Sequence, residues 1–159
     1  DNWNNSNIKL ENAHTHMIPR SVIAKVTKRE GRIAIVEPNN IRIDLSKVRS
    51  EFVPLIGDWL TLESLVELNE DSEDLSGEIL EVDRIKPLRS MLHVGVISKY
   101  NPENGVGIIN KQVIFHKRAC GLGYIPCIGD NVVSDSIESD QGQYIWRSVA
   151  VVPLFEVRI

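Results

Sequence analysis

The sequence predicts an all-β chain arranged as two tandem, small, five-stranded β-barrels, and three observations carry that reading. Short alternating apolar and polar stretches recur along the chain, separated by Gly, Pro, Asn and Asp turn residues. Helical periodicity is almost absent. The third observation is a duplication: Phe52-Val53-Pro54-Leu55-Ile56-Gly57-Asp58 returns as Tyr124-Ile125-Pro126-Cys127-Ile128-Gly129-Asp130, an offset of 72 residues. That spacing is the length of a small barrel rather than of a solenoid repeat. Further matches keep the order: Val26-Thr27-Lys28 with Ile97-Ser98-Lys99, Ile41-Arg42-Ile43-Asp44 with Val113-Ile114-Phe115-His116, and Ile85-Lys86-Pro87-Leu88 with Val151-Val152-Pro153-Leu154.

The elements follow in order. Residues 1–18 are Asn-rich at the start and without period, and read as a leader that is mobile or packs as a strap. The pair His14 and His16 lacks a third ligand at metal spacing and reads as solvated. The first barrel, residues 19–89, has strand signals at 21–28, 32–36 and 41–45, with Gly31 and Pro38-Asn39-Asn40 as turns. A short helical turn is expected over 45–50. Proline forbids a ladder hydrogen bond at its own nitrogen, and Gly-Asp supplies a tight turn, so the duplicated heptad launches a strand at 59–67. The fifth strand is expected at 77–85, after an acidic hairpin loop.

The second barrel, residues 90–159, repeats the plan with strands at 92–100, 106–110, 112–116, 131–137 and 143–153. A loop with Gly121 and Gly123 spans 117–123, and the alternating tail 154–159 reads as a further strand. The connector 86–90 is too short to tether the barrels loosely. Each unit is near the lower size limit for a self-sufficient core, so a shared interface is expected.

Composition narrows the function classes. Net charge is −4, divided as +4 over residues 1–50, −7 over 51–100 and −1 over 101–159. With a pI near 5.6, any RNA contact must come from local patches rather than a basic face. No stretch approaches 18 consecutive apolar residues, the length of a membrane-spanning helix. A chain that begins with Asp rather than Met reads as a fragment of a longer protein. Cys120 and Cys127 make neither a disulfide framework nor a zinc site, and read as small buried hydrophobes in a reducing compartment. The sequon Asn4-Asn5-Ser6 matters only in a secreted protein.

Ser98-Lys99-Tyr100-Asn101-Pro102-Glu103-Asn104-Gly105-Val106-Gly107-Ile108-Ile109-Asn110, followed by Val113-Ile114-Phe115-His116-Lys117-Arg118-Ala119, resembles a cold-shock domain. That resemblance implies an OB-type barrel whose second and third strands bind single strands on a stacking platform. The scaffold residues are in register, but the stacking positions hold Lys99, Val106, Ile108, Ile114 and Lys117, leaving His116 as the one ring able to stack. Stacking contributes about 1–3 kcal/mol per base. Its loss outweighs what Lys99, Lys117 and Arg118 restore as phosphate contacts at physiological salt. The resemblance supports the fold and weakens its usual function.

Across both copies, Gly57-Asp58-Trp59-Leu60, Arg84-Ile85-Lys86-Pro87-Leu88-Arg89, Asn104-Gly105-Val106, Val113-Ile114-Phe115, Gly123-Tyr124-Ile125-Pro126, Gly129-Asp130-Asn131-Val132-Val133 and Tyr144-Ile145-Trp146-Arg147 resemble the N-terminal region of the Armitage-type germline RNA helicases. A related cancer/testis antigen carries the same region. The resemblance implies a place in the piRNA pathway, RNA silencing on cytoplasmic germ granules or mitochondrial surfaces, and protein partners from that machinery. The chain has no Walker A motif, so the ATPase is not in it.

Tyr144 and Trp146 share one face of the last strand and read as core or interdomain filling rather than a recognition surface, with Arg147 facing the other way. Nine acids (Glu63, Glu67, Glu70, Asp71, Glu73, Asp74, Glu78, Glu81 and Asp83) crowd residues 63–83 without a Lys or Arg. They read as a solvated loop or, with Glu70, Asp71, Glu73 and Asp74 at its tip, as a docking edge for a basic partner. No nucleophile–base–orienter set appears, and His93 and His116 have no evident catalytic partner. No cofactor or metal is expected. The expected function is a non-catalytic protein-interaction module of an RNA helicase. The alternative is a tandem OB-like RNA-binding unit that uses Lys99, His116, Lys117 and Arg118.

Overall fold

A computed structural model describes residues 15–69 and 81–155. Ten strands run in chain order: β1 (Thr15–Glu30), β2 (Ile33–Glu37), β3 (Ile41–Asp44), β4 (Trp59–Asn69), β5 (Arg84–Pro87), β6 (Ser90–Asn101), β7 (Val106–Ile109), β8 (Val113–His116), β9 (Asn131–Gln141) and β10 (Tyr144–Pro153). A 3-10 turn, Lys117–Ala119, follows β8 where the sequence predicts a loop. The fold is all-β, as expected.

Strands β6 to β10 form a closed five-strand barrel in the order β10-β8-β7-β6-β9. Closure is parallel, through Trp146 opposite Val113 and Arg147 opposite Ile114. Its core gathers Ile97, Ile109, Val113, Phe115, Val132 and Trp146. The expected second barrel is not confirmed: the first unit is a five-stranded antiparallel sheet, β3-β2-β1-β4-β5, that does not close among the described residues. One parallel bridge, Arg49 to Arg84, joins its edges where Cys120 bridges Val151 in the barrel. The core of this unit is separate and contains Val26, Val36, Ile43, Leu60, Leu62 and Ile85.

Strand β1 starts at Thr15, within the expected leader, and pairs with β4 from Thr15–Asn69 through to Lys25–Trp59. Pro19 fits because, among the described residues, no strand lies on the other side of this part of β1. The stretch 45–50 is turn and bend rather than helix. Residues 77–80 of the expected fifth strand and 156–159 of the expected tail strand lie outside the described residues.

The duplication is visible atom by atom. Both first strands carry a bulge at the same place, after Val26 in β1 and after Ile97 in β6. Val26 N–H donates to Asp58 O at 2.9 Å and Ile97 N–H to Asp130 O at 3.0 Å. Gly57 N–H donates to Val26 O at 2.8 Å and Gly129 N–H to Ile97 O at 2.9 Å. Leu55 N–H donates to Asp58 Oδ2 at 2.8 Å and Cys127 N–H to Asp130 Oδ2 at 3.0 Å. Gly57 and Gly129 sit at φ of 98° and 94°, which glycine reaches without a Cβ penalty. The Gly-Asp signature encodes one turn, built twice.

Candidate interface on the barrel and between the units

Strands β6, β7 and β8 lay two rows of side chains on the outside of the barrel. Lys99 stands opposite Ile108, and Ile108 opposite Ile114. Asn101 stands opposite Val106, and Val106 opposite His116. A shallow cleft of about 430 Å³ opens over these rows, lined by Lys99, Tyr100, Asn101, Val106, Ile108 and, from the duplicated turn, Ile128. The surface is mainly aliphatic with a basic rim, its rings being Tyr100 in the lining and His116 at the end of β8. Tyr100 and Phe115 stack on each other, with centroids 6.0 Å apart and planes at 2°, but Phe115 is buried in the core.

The proposed RNA contacts fall at two edges of this face. His116, Lys117 and Arg118 sit together at the end of β8, where His116 Nδ1 accepts the Arg118 N–H at 3.1 Å and caps the 3-10 turn. Gly105 lets that turn come close, since a Cβ there would lie 2.9 Å from Lys117 Cγ and 3.0 Å from His116 Nε2. Lys99 lies across the sheet on β6. Lys99, Lys117 and Arg118 are exposed and form no ion pair among the described residues. The first unit carries the matching row, which sequence reading missed: Lys28 opposite Ile35 and Ile35 opposite Arg42. The match of Val26-Thr27-Lys28 to Ile97-Ser98-Lys99 was the available signal.

On the acidic side, Glu70, Asp71, Glu73 and Asp74 lie outside the described residues. Two of the nine acids are neutralised locally, Glu63 by Lys86 at 3.2 Å and Asp83 by Arg49 at 2.6 Å. The bases that pair with them come from outside the acidic run, so composition over 63–83 overstates the field.

Sequence reading also missed the centre of the contact between the units. Asp58 is fully buried, and Arg147 of β10 reaches it with Nε at 2.7 Å from Oδ1 and a terminal nitrogen at 2.8 Å from Oδ2. Ser139 Oγ donates to Oδ1 at 2.7 Å. Arg147 also donates to Val53 O at 3.0 Å, Gln141 Nε2 to Ile56 O at 2.9 Å, and Asp140 N–H to Gly57 O at 2.7 Å. Lys25 pairs with Asp140 at 3.0 Å and Arg89 with Glu138 at 3.0 Å at the edges. A bidentate guanidinium on a buried carboxylate fixes both distance and angle.

Trp146 is core, as expected, edge-on to His93 at 5.3 Å and under the Arg89 guanidinium at 5.4 Å. Tyr144 is half-buried, and a bulge between it and Trp146 breaks their alternation. His93 does have a hydroxyl partner, Ser136, with Nδ1 and Oγ 3.0 Å apart. Both side chains are buried, neither lines the cleft over β6 and β7, and Ser136 continues into hydrogen bonds with Ser134 and then Ser148. This is a buried polar ladder rather than an accessible nucleophile. Burial lowers the His93 pKa, keeping the ring neutral. Cys127 corrects an expectation: it is exposed, while Cys120 is half-buried with its thiol pKa raised by burial. Among the described residues, no His, Cys, Asp and Glu cluster is suited to a metal ion. No helix there is long and apolar enough to cross a membrane.

No protein-family model matches the chain. Over 156 residues, 97% of this chain, the sequence is 26% identical to the Drosophila melanogaster protein described as "Probable RNA helicase armi". The chain spans 13% of that protein's length. Distant similarity to part of an RNA helicase, together with a closed barrel compatible with an OB-like domain, is what the comparisons establish.

Proposed function

We propose that the chain is a non-catalytic protein-interaction module of an RNA helicase of the piRNA silencing pathway, docking the helicase on partner proteins. The observation that carries this reading is the β6–β7–β8 face. Where a nucleic-acid barrel presents rings for bases, this face has Val106, the exposed Ile128 and, beneath them, the buried Ile108 around an apolar cleft, with Ile114 next to Ile108 on β8. Aliphatic side chains gain by excluding water against other apolar groups and offer a base no π-face. A second surface agrees with this. Val94 of β6, Val133 of β9 and Val152 of β10 stand in one row on the outside of the barrel, with Val94 64% and Val152 57% exposed. Contiguous exposed aliphatics of this kind mark protein contacts.

Glu70, Asp71, Glu73 and Asp74 are assigned the rim of a docking edge for a basic partner, speeding association more than tightening it. By the resemblance, the module works in the cytoplasm of germ cells, on germ granules or the mitochondrial surface. The second reading, single-stranded RNA guided to a motor, is favoured by one observation: Lys99, Lys117 and Arg118, at the edges of the platform, form no ion pair among the described residues.

Titration of a labelled single-stranded RNA at several salt concentrations separates the two. The expected result is micromolar or weaker affinity, with a salt dependence from about two or three phosphate contacts. Replacing Lys99, Lys117 and Arg118 with Glu should abolish it. Nanomolar binding that survives raised salt would overturn the interaction reading in favour of RNA guidance.

A further inference from the structure

Among the described residues, the duplicated turn is occupied once and stands open once. In the first copy the β9–β10 hairpin sits on it, donating a backbone N–H to Gly57 O, a side-chain amide to Ile56 O and a guanidinium to Val53 O and Asp58. The approach is so close that a Cβ on Gly57 would lie 2.3 Å from Asp140 O. The second copy keeps the same backbone, with the same internal hydrogen bonds and nearly the same glycine φ. Among the described residues nothing sits on it: a Cβ on Gly129 would meet none of their atoms within 4 Å. Among the described residues, Ile128 O, Gly129 O and Asp130 Oδ1 accept no hydrogen bond, and Ile125 O meets only the Cys127 thiol at 3.9 Å. Ile125 is 79% exposed and Ile128 65%.

We infer that the turn at residues 125–130 docks a β-hairpin of a partner protein, one offering a backbone N–H, a side-chain amide and an arginine, as β9–β10 offers them to the first turn. The inference rests on the protein-interaction reading and names one of its surfaces. The occupant follows from the chain's own precedent, since the same backbone already selects such a hairpin. A second copy of this chain does not supply it, because its β9–β10 hairpin is held by its own Asp58. One difference sets the strength. Position 52 is Phe, whereas the matching Tyr124 donates its hydroxyl to Asp130 Oδ2 at 2.7 Å. A docking arginine therefore reaches Oδ1 and the Ile125 carbonyl but not both carboxylate oxygens. The second turn binds through one charged hydrogen bond where the first uses two, which suits a transient partner.

The test uses the intact chain, ¹⁵N-labelled, and a backbone-cyclised peptide reproducing residues 138–147. Cyclisation is needed because an isolated hairpin is marginal in water. Amide shifts should move at residues 125–131 and not at the occupied first turn. Arg147→Ala in the peptide should weaken binding about tenfold, the scale of one charge-assisted hydrogen bond. No shift at 125–131 with millimolar peptide, equal binding by the alanine peptide, or shifts confined to the β6–β7–β8 face would each overturn the proposal. So would broadening of 125–131 with chain concentration and no peptide present, which would make a second copy the occupant. Failure here leaves the wider interaction reading to the RNA titration, and failure there leaves this docking result standing.

Discussion

At the scale of single residues, one ring difference between the copies redirects a carboxylate. Tyr124 supplies a hydroxyl to Asp130 and holds that carboxylate inside its own unit, while burial and this bond push the phenol pKa up. Phe52 supplies none, and Asp58 turns to Arg147, 89 residues away. Removing one partner of a buried ion pair leaves the other desolvated and unpaired, so Arg147→Ala should cost about 3–5 kcal/mol. Denaturant unfolding of the variant measures it, and a loss below about 1 kcal/mol would show that Ser139 and the Leu55 N–H satisfy Asp58 alone. His93 makes a pH prediction. Its folded pKa is lowered by burial, so the unfolded chain binds the extra proton more readily. The stability tied to neutral His93 is complete above the unfolded pKa near 6.5 and is lost as pH falls from there toward the folded value. Ser136 and Trp146 line the ring, and burial is the cause of the lowered value. The midpoint of thermal unfolding should decline below about pH 6.5, and His93→Gln should flatten that decline. An identical pH profile in the variant would assign the effect elsewhere.

At the scale of elements, much was legible in the sequence because turn chemistry is local. Pro-x-Ile-Gly-Asp specifies a glycine at positive φ, an Asp that caps its own turn and a strand that starts next, and both copies obey. Strands β2, β3, β7 and β8 fall close to where alternation placed them. Exposure of Cys127 was not legible, because a turn residue's side chain points wherever the turn's packing sends it. The pairing of Asp58 with Arg147 was not legible either: alternation says that Arg147 faces away from Trp146 but not what it meets. The platform shows the same limit. The loss of stacking rings was plain from Val106, Ile108 and Ile114, whereas the role of Ile128 in the cleft wall depended on how the second turn folds back.

At the scale of the molecule, the two units have separate cores and meet through polar groups, with Asp58 at the centre and the Lys25–Asp140 and Arg89–Glu138 pairs at the edges. The edge pairs are exposed and contribute little, since solvent and salt screen them. Orientation between the units therefore rests on Arg147, which bonds Asp58 and the Val53 carbonyl from one strand, and on the backbone bond from Asp140 to Gly57. The connector reinforces this: Leu88 N–H donates to Trp59 O at 2.9 Å, and Glu138 N–H donates to Arg89 O at 3.0 Å, so the chain enters the barrel already hydrogen-bonded to it. A joint of this kind holds one angle or releases altogether, because a bidentate pair loses most of its strength with a small change in geometry. The intact chain should tumble as one body, with ¹⁵N relaxation giving a single correlation time for residues 15–69 and 90–155. In the Asp58→Ala, Arg147→Ala double variant, which leaves neither charge orphaned, each unit should keep its own amide pattern while the correlation times separate and shorten. Independent tumbling in the unmodified chain, or a single correlation time in the double variant, would mean that something other than the Asp58 joint sets how the two units face a partner.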